Sequence, residues 1–320
     1  MFRINTPLRR VDDVNRLVSA GADAFYCGLN DQPGTFGGGG LNQRQSDRSS
    51  FASVDELTRA VSLVHGHGHE IFLAANTRLL AESYVDRFVR QLQTAADCGI
   101  DAVIVGSLNG LMIARQRFPG MRLAASVGLG VLNSRSARFF KDLGVYRVIV
   151  SRHLTSDEIA TVCDEVPDVE VEAFLMNGRC GNFDSMCGYD YYDPEGAKAN
   201  FTGCVFVRDG RVTRYRRYAC GLCALDVFGM KPNFAAAKVI GRDFDVESVE
   251  KAVHLVAMAR MALSSGLRGD SFQDAVCGYY SQVHGTGCGG NCYYPAPGRI
   301  PAQDDGCGAC GCGDCGGRAG

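Results

Sequence analysis

Five cysteines in the middle of this 320-residue chain have the spacing of metal ligands. They follow the pattern Cys-x6-Cys-x16-Cys-x15-Cys-x2-Cys and comprise Cys180, Cys187, Cys204, Cys220 and Cys223. Four thiolates are the ligand set of a structural zinc ion and of an iron–sulfur cluster. Zinc sites usually combine two tight cysteine pairs, whereas only Cys220 and Cys223 lie that close here. The spacing therefore favours a cluster and leaves the fourth ligand open between these two.

A second group of cysteines lies near the C-terminus, where the composition shifts to Gly, Cys and turn residues from residue 266 onward. The group comprises Cys277, Cys288, Cys292, Cys307, Cys310, Cys312 and Cys315. Its last four members are dense enough to hold a second cluster or a zinc ion, and Cys288 and Cys292 could contribute ligands to such a site. The alternative is a flexible Gly-rich segment without metal.

Composition places the chain among globular proteins with reduced thiols. It has 15 Cys, and its first residues lack the pattern of a signal peptide, which predicts a cytoplasmic location. Hydrophobic residues make up 46% and charged residues 21%, which is enough apolar material for a full-sized core. The net charge of −2 excludes a strongly basic nucleic-acid coat protein. No apolar run approaches the roughly 20 residues that a membrane span needs.

The elements that would position these cysteines alternate between short β-branched runs and amphipathic stretches, which is typical of a parallel sheet. The predicted strands are 2–5, 23–27, 70–75, 102–105, 122–126, 147–150, 169–175 and 237–240. The predicted helices are 11–20, 54–65, 84–98, 136–143, 156–162 and 246–263. No Gly-x-Gly-x-x-Gly loop follows an early strand. We therefore predict a TIM-type (β/α)8-like barrel with a Cys-rich insertion after strand 7 and a Cys/Gly-rich C-terminal tail.

Polar residues at the C-terminal ends of the predicted strands are the candidate site, because the active groups of such barrels lie there. They comprise Asn76, Arg78, Ser126, Ser151, Arg152, His153, Glu172 and Asn177. Each could instead be a loop cap or a solvated side chain. His65, His67 and His69 alternate with glycines and could form a metal tract, but their place between a helix and a strand favours a polar turn.

Several of these segments resemble peptidase family U32, the collagenase-like proteins. The resemblance centres on Glu172, Phe174, Cys180 and Cys187, which match the family's Glu-x-Phe segment followed by Cys-x6-Cys. It extends over roughly residues 1–265 through the segments Gly21–Tyr26, Ser151–His153, Gly203–Cys204, Leu222–Cys223 and Lys238–Arg242. The cysteine spacing is its most specific part.

This resemblance implies one [4Fe–4S] cluster and an oxygen-independent hydroxylation. Family members hydroxylate tRNA uridine, rRNA cytidine or a ubiquinone precursor, with prephenate implicated as oxygen donor, and some act in heteromeric pairs. The implied ligands are Cys180, Cys187, Cys204 and Cys223, within a cluster-binding segment 177–223 of a barrel domain 1–265. Residues 266–320 form the extension. Cys220 lies close enough to Cys223 to compete with it.

The polar candidates are assigned roles from their places in the barrel and from their charge. We assign catalysis to Arg152, His153 and Glu172. Substrate binding is assigned to Asn76, Arg78, Asn177, Lys238 and Arg242, the cationic members of which suit anionic groups of a substrate or donor. Two departures from the family pattern, His153 and Ile240 where the family has Glu, leave the substrate open between a small molecule and a nucleotide-like molecule.

Two other functions compete with hydroxylation. One is a U32-type peptidase, which needs a nucleophile or an activated water, and a zinc ion on the same cysteines would be its Lewis acid. The other is a non-catalytic partner subunit that carries the cluster. RNA as substrate would be consistent with the five arginines between Arg208 and Arg217, although a solvated strand face explains them as well and the net charge does not favour RNA.

Overall fold

Eight parallel strands close into a barrel in the described part of the chain. The computed structural model describes residues 1–30, 41–42, 49–78, 80–178, 184–185, 205–208, 211–214, 219–288 and 292–294. The barrel strands are β1 (Arg3–Pro7), β2 (Ala24–Cys27), β3 (Glu70–Ala75), β4 (Ala102–Val105), β5 (Leu123–Ala125), β6 (Arg147–Ile149), β7 (Glu170–Met176) and β10 (Phe234–Val239). Between β7 and β10 lies a separate hairpin, β8 (Val205–Arg208) and β9 (Arg211–Arg214).

Sequential strands lie side by side around the barrel. The order is β1-β10-β7-β6-β5-β4-β3-β2, and β1 closes the barrel by pairing with both β10 and β2. Strands such as β4, whose four residues are all apolar and buried, read as continuous hydrophobic runs because helices cover the outer face of a parallel barrel. The predicted barrel is therefore confirmed.

Helices follow most of the strands and form the outer layer. They are α1 (Val14–Ser19), α2 (Val54–Gly66), α3 (Glu82–Asp97), α4 (Leu108–Arg117), α5 (Ser134–Asp142), α6 (Ser156–Glu165), α7 (Leu225–Phe228), α8 (Val246–Ser264) and α9 (Gly269–His284). Helices α2 and α6 are capped, since the side chains of Ser53 and Thr155 accept hydrogen bonds from the amides of Glu56 and Glu158. None of the described helices is long and apolar enough to cross a membrane.

Helices α4, α7 and α9 were not predicted. Helix α4 lies between β4 and β5, where Asn109 and Gly110 weaken helix propensity but Ser107 caps the first turn. Helix α9 occupies the start of the predicted Gly/Cys-rich extension and buries Phe272 and Val276, four residues apart on one face. The chain from residue 266 is thus not uniformly a tail, because residues 269–284 pack on the barrel domain.

A short segment after α9 is also fixed to the barrel. The rings of Tyr293 and Tyr294 are buried, and the Tyr294 hydroxyl accepts a hydrogen bond of 2.9 Å from the backbone N–H of Phe174 in β7. The Tyr293 amide donates to the carbonyl of Cys220 at 3.0 Å. These contacts bring Cys292 beside Cys220 as paired residues.

Candidate functional site

A buried ion network lies inside the barrel around Glu172, the third residue of β7. Its carboxylate accepts hydrogen bonds from Lys238 Nζ at 2.5 Å, Arg147 Nη1 at 3.2 Å and Asn5 Nδ2 at 3.1 Å. The side chains of Glu172 and Arg147 are 1% exposed, and that of Lys238 is 6% exposed. The Lys238 ammonium also lies 4.1 Å from the centre of the Tyr26 ring, a favourable cation–π contact.

The titration of this network follows from burial and charge. Burial alone would raise the pKa of Glu172, but the charges of Lys238 and Arg147 outweigh it and hold that pKa below its ordinary value. Burial lowers the pKa of Lys238 despite the adjacent carboxylate, and the charges of Arg147 and Arg242 lower it further. Glu172 is therefore an ionised acceptor that orients Lys238 and Arg147.

A second polar cluster lies where β6 ends, and it is built on Asp184. The Asp184 carboxylate accepts from the backbone N–H of Arg152 at 2.8 Å, from the Arg152 guanidinium, and from the Ser151 hydroxyl at 3.3 Å. His153 Nδ1 lies 3.8 Å from the same carboxylate, and the His153 side chain is 27% exposed. Arg152 further covers the Phe174 ring at 5.1 Å.

Asp184 was missed by the sequence reasoning, although it lies between the predicted ligands Cys180 and Cys187. Burial would raise its pKa, but the charge of Arg152 and hydrogen bonds from His153 and Arg152 hold the pKa well below its ordinary value. The carboxylate is thus an ionised group that is held at the end of β6. Its position between two cysteines was the one available signal.

The neighbouring Ser185 is held from two further elements. Arg78, after β3, donates through Nη2 to the Ser185 carbonyl. A Cβ atom on Gly130, after β5, would lie 2.6 Å from Ser185 Oγ, so only glycine allows this approach. Residues 184–185 therefore contact groups following β3, β5 and β6. These are C-terminal ends of barrel strands, where the cysteine loop was predicted to lie.

Asn177 shapes the end of β7. Its φ of 70° is left-handed, a conformation that Asn tolerates better than most residues. Its side-chain Nδ2 donates to the Ile240 carbonyl at 2.9 Å, and its own carbonyl accepts from the Tyr293 hydroxyl. Both contacts are with protein groups, so they fix the backbone at the end of β7.

The remaining predicted binding residues lie further round the barrel. Arg242 is 3% exposed and donates from Nη2 to the Asn42 carbonyl at 2.8 Å. A Cβ atom on Gly28 would lie 2.5 Å from Arg242 Nη1, so glycine makes room for this guanidinium. Asn76 Oδ1 is buried without a hydrogen-bond partner among the described residues. Among the described contacts, none joins Glu172 to Arg152 or His153.

Of the predicted cluster ligands only Cys223 is described, and it lies in the 3-10 turn Leu222–Ala224. Cys180, Cys187, Cys204 and the group Cys307, Cys310, Cys312 and Cys315 lie outside the described residues. The histidines lie at the junction of α2 and β3, where His65 bonds to Asp101 at 3.0 Å and His67 bonds to Asn15 at 2.7 Å.

Comparison with known proteins decides the family. The profile of peptidase family U32 matches residues 9–206, more than half of the chain. This chain belongs to peptidase family U32. The resemblance drawn from Glu172, Phe174 and the cysteine spacing is thereby confirmed.

Relatives of this U32 chain include RNA-modification proteins. The tRNA hydroxylation protein P of Haemophilus influenzae is 28% identical over 182 residues, which are 57% of this chain and 37% of that protein. The 23S rRNA 5-hydroxycytidine C2501 synthase of Escherichia coli is 26% identical over 199 residues, which are 62% of this chain and 28% of that protein. The chain thus matches less than two fifths of the length of these relatives. The solved U32 peptidase Mk0906 superposes with a TM-score of 0.42 at 14% identity, over 55% of this chain and 69% of that chain.

The U32 site contains the residue types of a serine-peptidase triad without its geometry. In a triad the serine bonds to one imidazole nitrogen and the carboxylate to the other. Here Ser151 Oγ and an Asp184 oxygen both lie beside His153 Nδ1, at 3.3 and 3.8 Å. Ser151 is fully buried, and its hydroxyl donates to Asp184. This arrangement orients His153 and does not activate Ser151 as a nucleophile.

Proposed function

We propose that this chain is an iron–sulfur-dependent, oxygen-independent hydroxylase that acts on a nucleotide-like substrate at the barrel mouth. The observation that carries the proposal is the anchoring of Asp184 by Arg152, because Asp184, which lies between Cys180 and Cys187 in the sequence, is held at the C-terminal ends of the strands. Active groups of such barrels lie at these ends. The names of the curated relatives, a tRNA hydroxylation protein and an rRNA hydroxycytidine synthase, support the reaction class.

The donor set fits a cluster. Cys180, Cys187, Cys204 and Cys223 would supply four soft thiolates, the ligands of a [4Fe–4S] centre. When bound, the cluster would supply the redox and oxygen-handling chemistry of the reaction. The chain's own part would be to place it, and the contacts of Arg152 with Asp184 and of Arg78 with Ser185 support this role.

The residues around that loop have complementary tasks in this proposal. His153 is partly exposed beside the loop, and Asp184 fixes its ring, so it is the group best placed to move a proton at the substrate. Arg78 and Arg152 lie beside Ser185 and Asp184, and guanidinium groups suit phosphate groups or a dicarboxylate oxygen donor such as prephenate. Glu172 holds Lys238 and Arg147 inside the barrel.

Anaerobic reconstitution with iron and sulfide tests the proposal. The full chain, Cys187→Ala and a matched control, Cys163→Ala on helix α6, are compared by metal analysis, by visible spectrum, and by activity on unmodified tRNA and 23S rRNA with prephenate present or omitted. We expect Cys187→Ala to lose a cluster and Cys163→Ala to retain it. Mass spectrometry of nucleosides should show the gain of one oxygen only with the loaded chain and prephenate. Iron and sulfide content equal in all three proteins would overturn the cluster assignment, and unmodified nucleosides throughout would overturn the substrate class.

A further inference from the structure

Five cysteines from separate segments converge beside the end of β7. Cys220 precedes the 3-10 turn before α7, and Cys223 lies within that turn. Cys277 lies on α9, and Cys288 and Cys292 follow α9. The thiols of Cys223 and Cys277 share a hydrogen bond. Cys220 lies within electrostatic range of Cys288, Cys292 and Cys277. None of the eight described cysteines forms a disulfide.

The fold holds these cysteines together through the backbone. The segment around Cys220 pairs with the end of β7, since the amide of Asn177 donates to Ala219 and the amide of Gly221 donates to Leu175. Cys292 pairs with Cys220 on its other side. The following rings are locked in place, because Tyr293 stacks on Phe174 at 6.4 Å.

Helix α9 brings Cys277 into this group of five cysteines. Its N-terminus is tied to α7 by a hydrogen bond of 2.8 Å from the amide of Gly269 to Asp226. Phe272 and Val276 are buried, and they hold the next residue, Cys277, against the turn that carries Cys223. The C-terminal extension thus contributes three thiols to a place that the barrel domain already supplies with two.

We propose that Cys220, Cys277, Cys288 and Cys292 form a second four-thiolate metal site, which fastens the C-terminal extension to the barrel. The assignment of Cys223 to the first cluster rests on the function proposed above, and it divides the pair Cys220 and Cys223 between the two sites. Four soft sulfur ligands bind either an iron–sulfur cluster or zinc. No three His, Cys, Asp or Glu side chains among the described residues are grouped tightly enough for a single ion. A cluster accommodates wider spacing because its cysteines bind different irons, so we expect a cluster here.

Metal analysis of full-length variants tests this site. Cys288→Ser and Cys277→Ser are compared with Cys187→Ser, which affects only the first cluster, and with the control Cys163→Ser. We expect Cys288→Ser and Cys277→Ser each to lose about half of the iron and sulfide and to keep the half that Cys187→Ser loses. Loss of one zinc per chain in both variants, with iron unchanged, would overturn the assignment of a cluster to this site. Metal content unchanged in both would overturn it.

Two further measurements keep the result independent of folding and of the first cluster. Alkylation mapped by mass spectrometry on the unmodified, metal-loaded chain should show Cys277 and Cys288 protected until a chelator is added. A variant with serine at Cys307, Cys310, Cys312 and Cys315 should keep the second metal centre. Loss of that centre in this variant, or alkylation of Cys277 and Cys288 without chelator, would overturn the proposal. If Cys187→Ser loses nothing while Cys288→Ser does, the second site stands and the proposed function falls.

Discussion

Replacing Glu172 by Gln should destabilise the barrel more than any surface charge substitution does. The variant keeps the size of the side chain but removes the negative charge that Lys238 and Arg147 share. Those two cations would then remain buried with one compensating carboxylate, Glu170, which contacts Arg147 only.

The size of the effect follows from burial. Removing one partner of a buried ion pair costs about 3–5 kcal/mol, because the other charge remains without compensation in a poorly solvated place. The amide oxygen of the introduced glutamine can still accept one hydrogen bond, so the lower half of that range applies. For a domain of this size each kcal/mol lowers the melting temperature by about 2–4 °C. We therefore expect a decrease of about 6–16 °C.

Urea and thermal unfolding of samples with equal metal content measure this loss of stability. The control is Glu247→Gln, which breaks an exposed pair with Lys251 on α8 and should change stability little. Lys238→Met combined with Glu172→Gln should recover part of the loss, since it removes one of the two uncompensated cations. The reasoning is refuted if Glu172→Gln unfolds like its control, or if the double variant loses the full sum of the single losses.

Three further predictions concern Asp184, Tyr294 and Asn177. The pKa of Asp184 is held below its ordinary value, so its contribution to the free energy of unfolding is present above about pH 4 and is lost as the pH falls further. The free energy of unfolding between about pH 5 and pH 2 should therefore depend less on pH in Asp184→Asn than in the unmodified chain. Tyr294→Phe leaves the buried Phe174 N–H without its acceptor and should cost about 1–3 kcal/mol in urea unfolding, an expectation that equal midpoints would contradict. Asn177→Ala should lose about 1–2 kcal/mol through its left-handed backbone, and a loss in Asn177→Gly as large as in Asn177→Ala would point to the lost bond to Ile240 instead.

The barrel could be predicted from the sequence because its strands are short, continuous apolar runs. Glu70–Ala75 and Ala102–Val105 match their predicted bounds to the residue. Helix α9 could not be predicted in this way, since its Gly and Cys content hides the buried pair Phe272 and Val276 within a composition typical of a tail. Packing against α8, which composition does not encode, stabilises it.

In the candidate site, some residues could likewise be predicted from the sequence and others could not. Arg152 and His153 could be predicted from their place after a strand, because barrel topology brings strand ends together. Their partner Asp184 lies 32 residues from Arg152 in the chain, and no periodicity links the two. The convergence of Cys220 with Cys277 is also long-range, so the spacing of cysteines alone could not assign them to a common site.

The charged layer inside the barrel is better explained by function than by stability. Barrel interiors are usually filled by branched apolar side chains, and apolar replacement of a complete buried ion pair is often neutral or stabilising. Glu172, Lys238 and Arg147 therefore hold positions that packing alone would give to Val, Ile or Leu. Arg242 lies close enough to lower the pKa of Lys238. We infer that Glu172 keeps this positive charge ordered for an anionic substrate or oxygen donor, which makes it a positioning residue for Lys238.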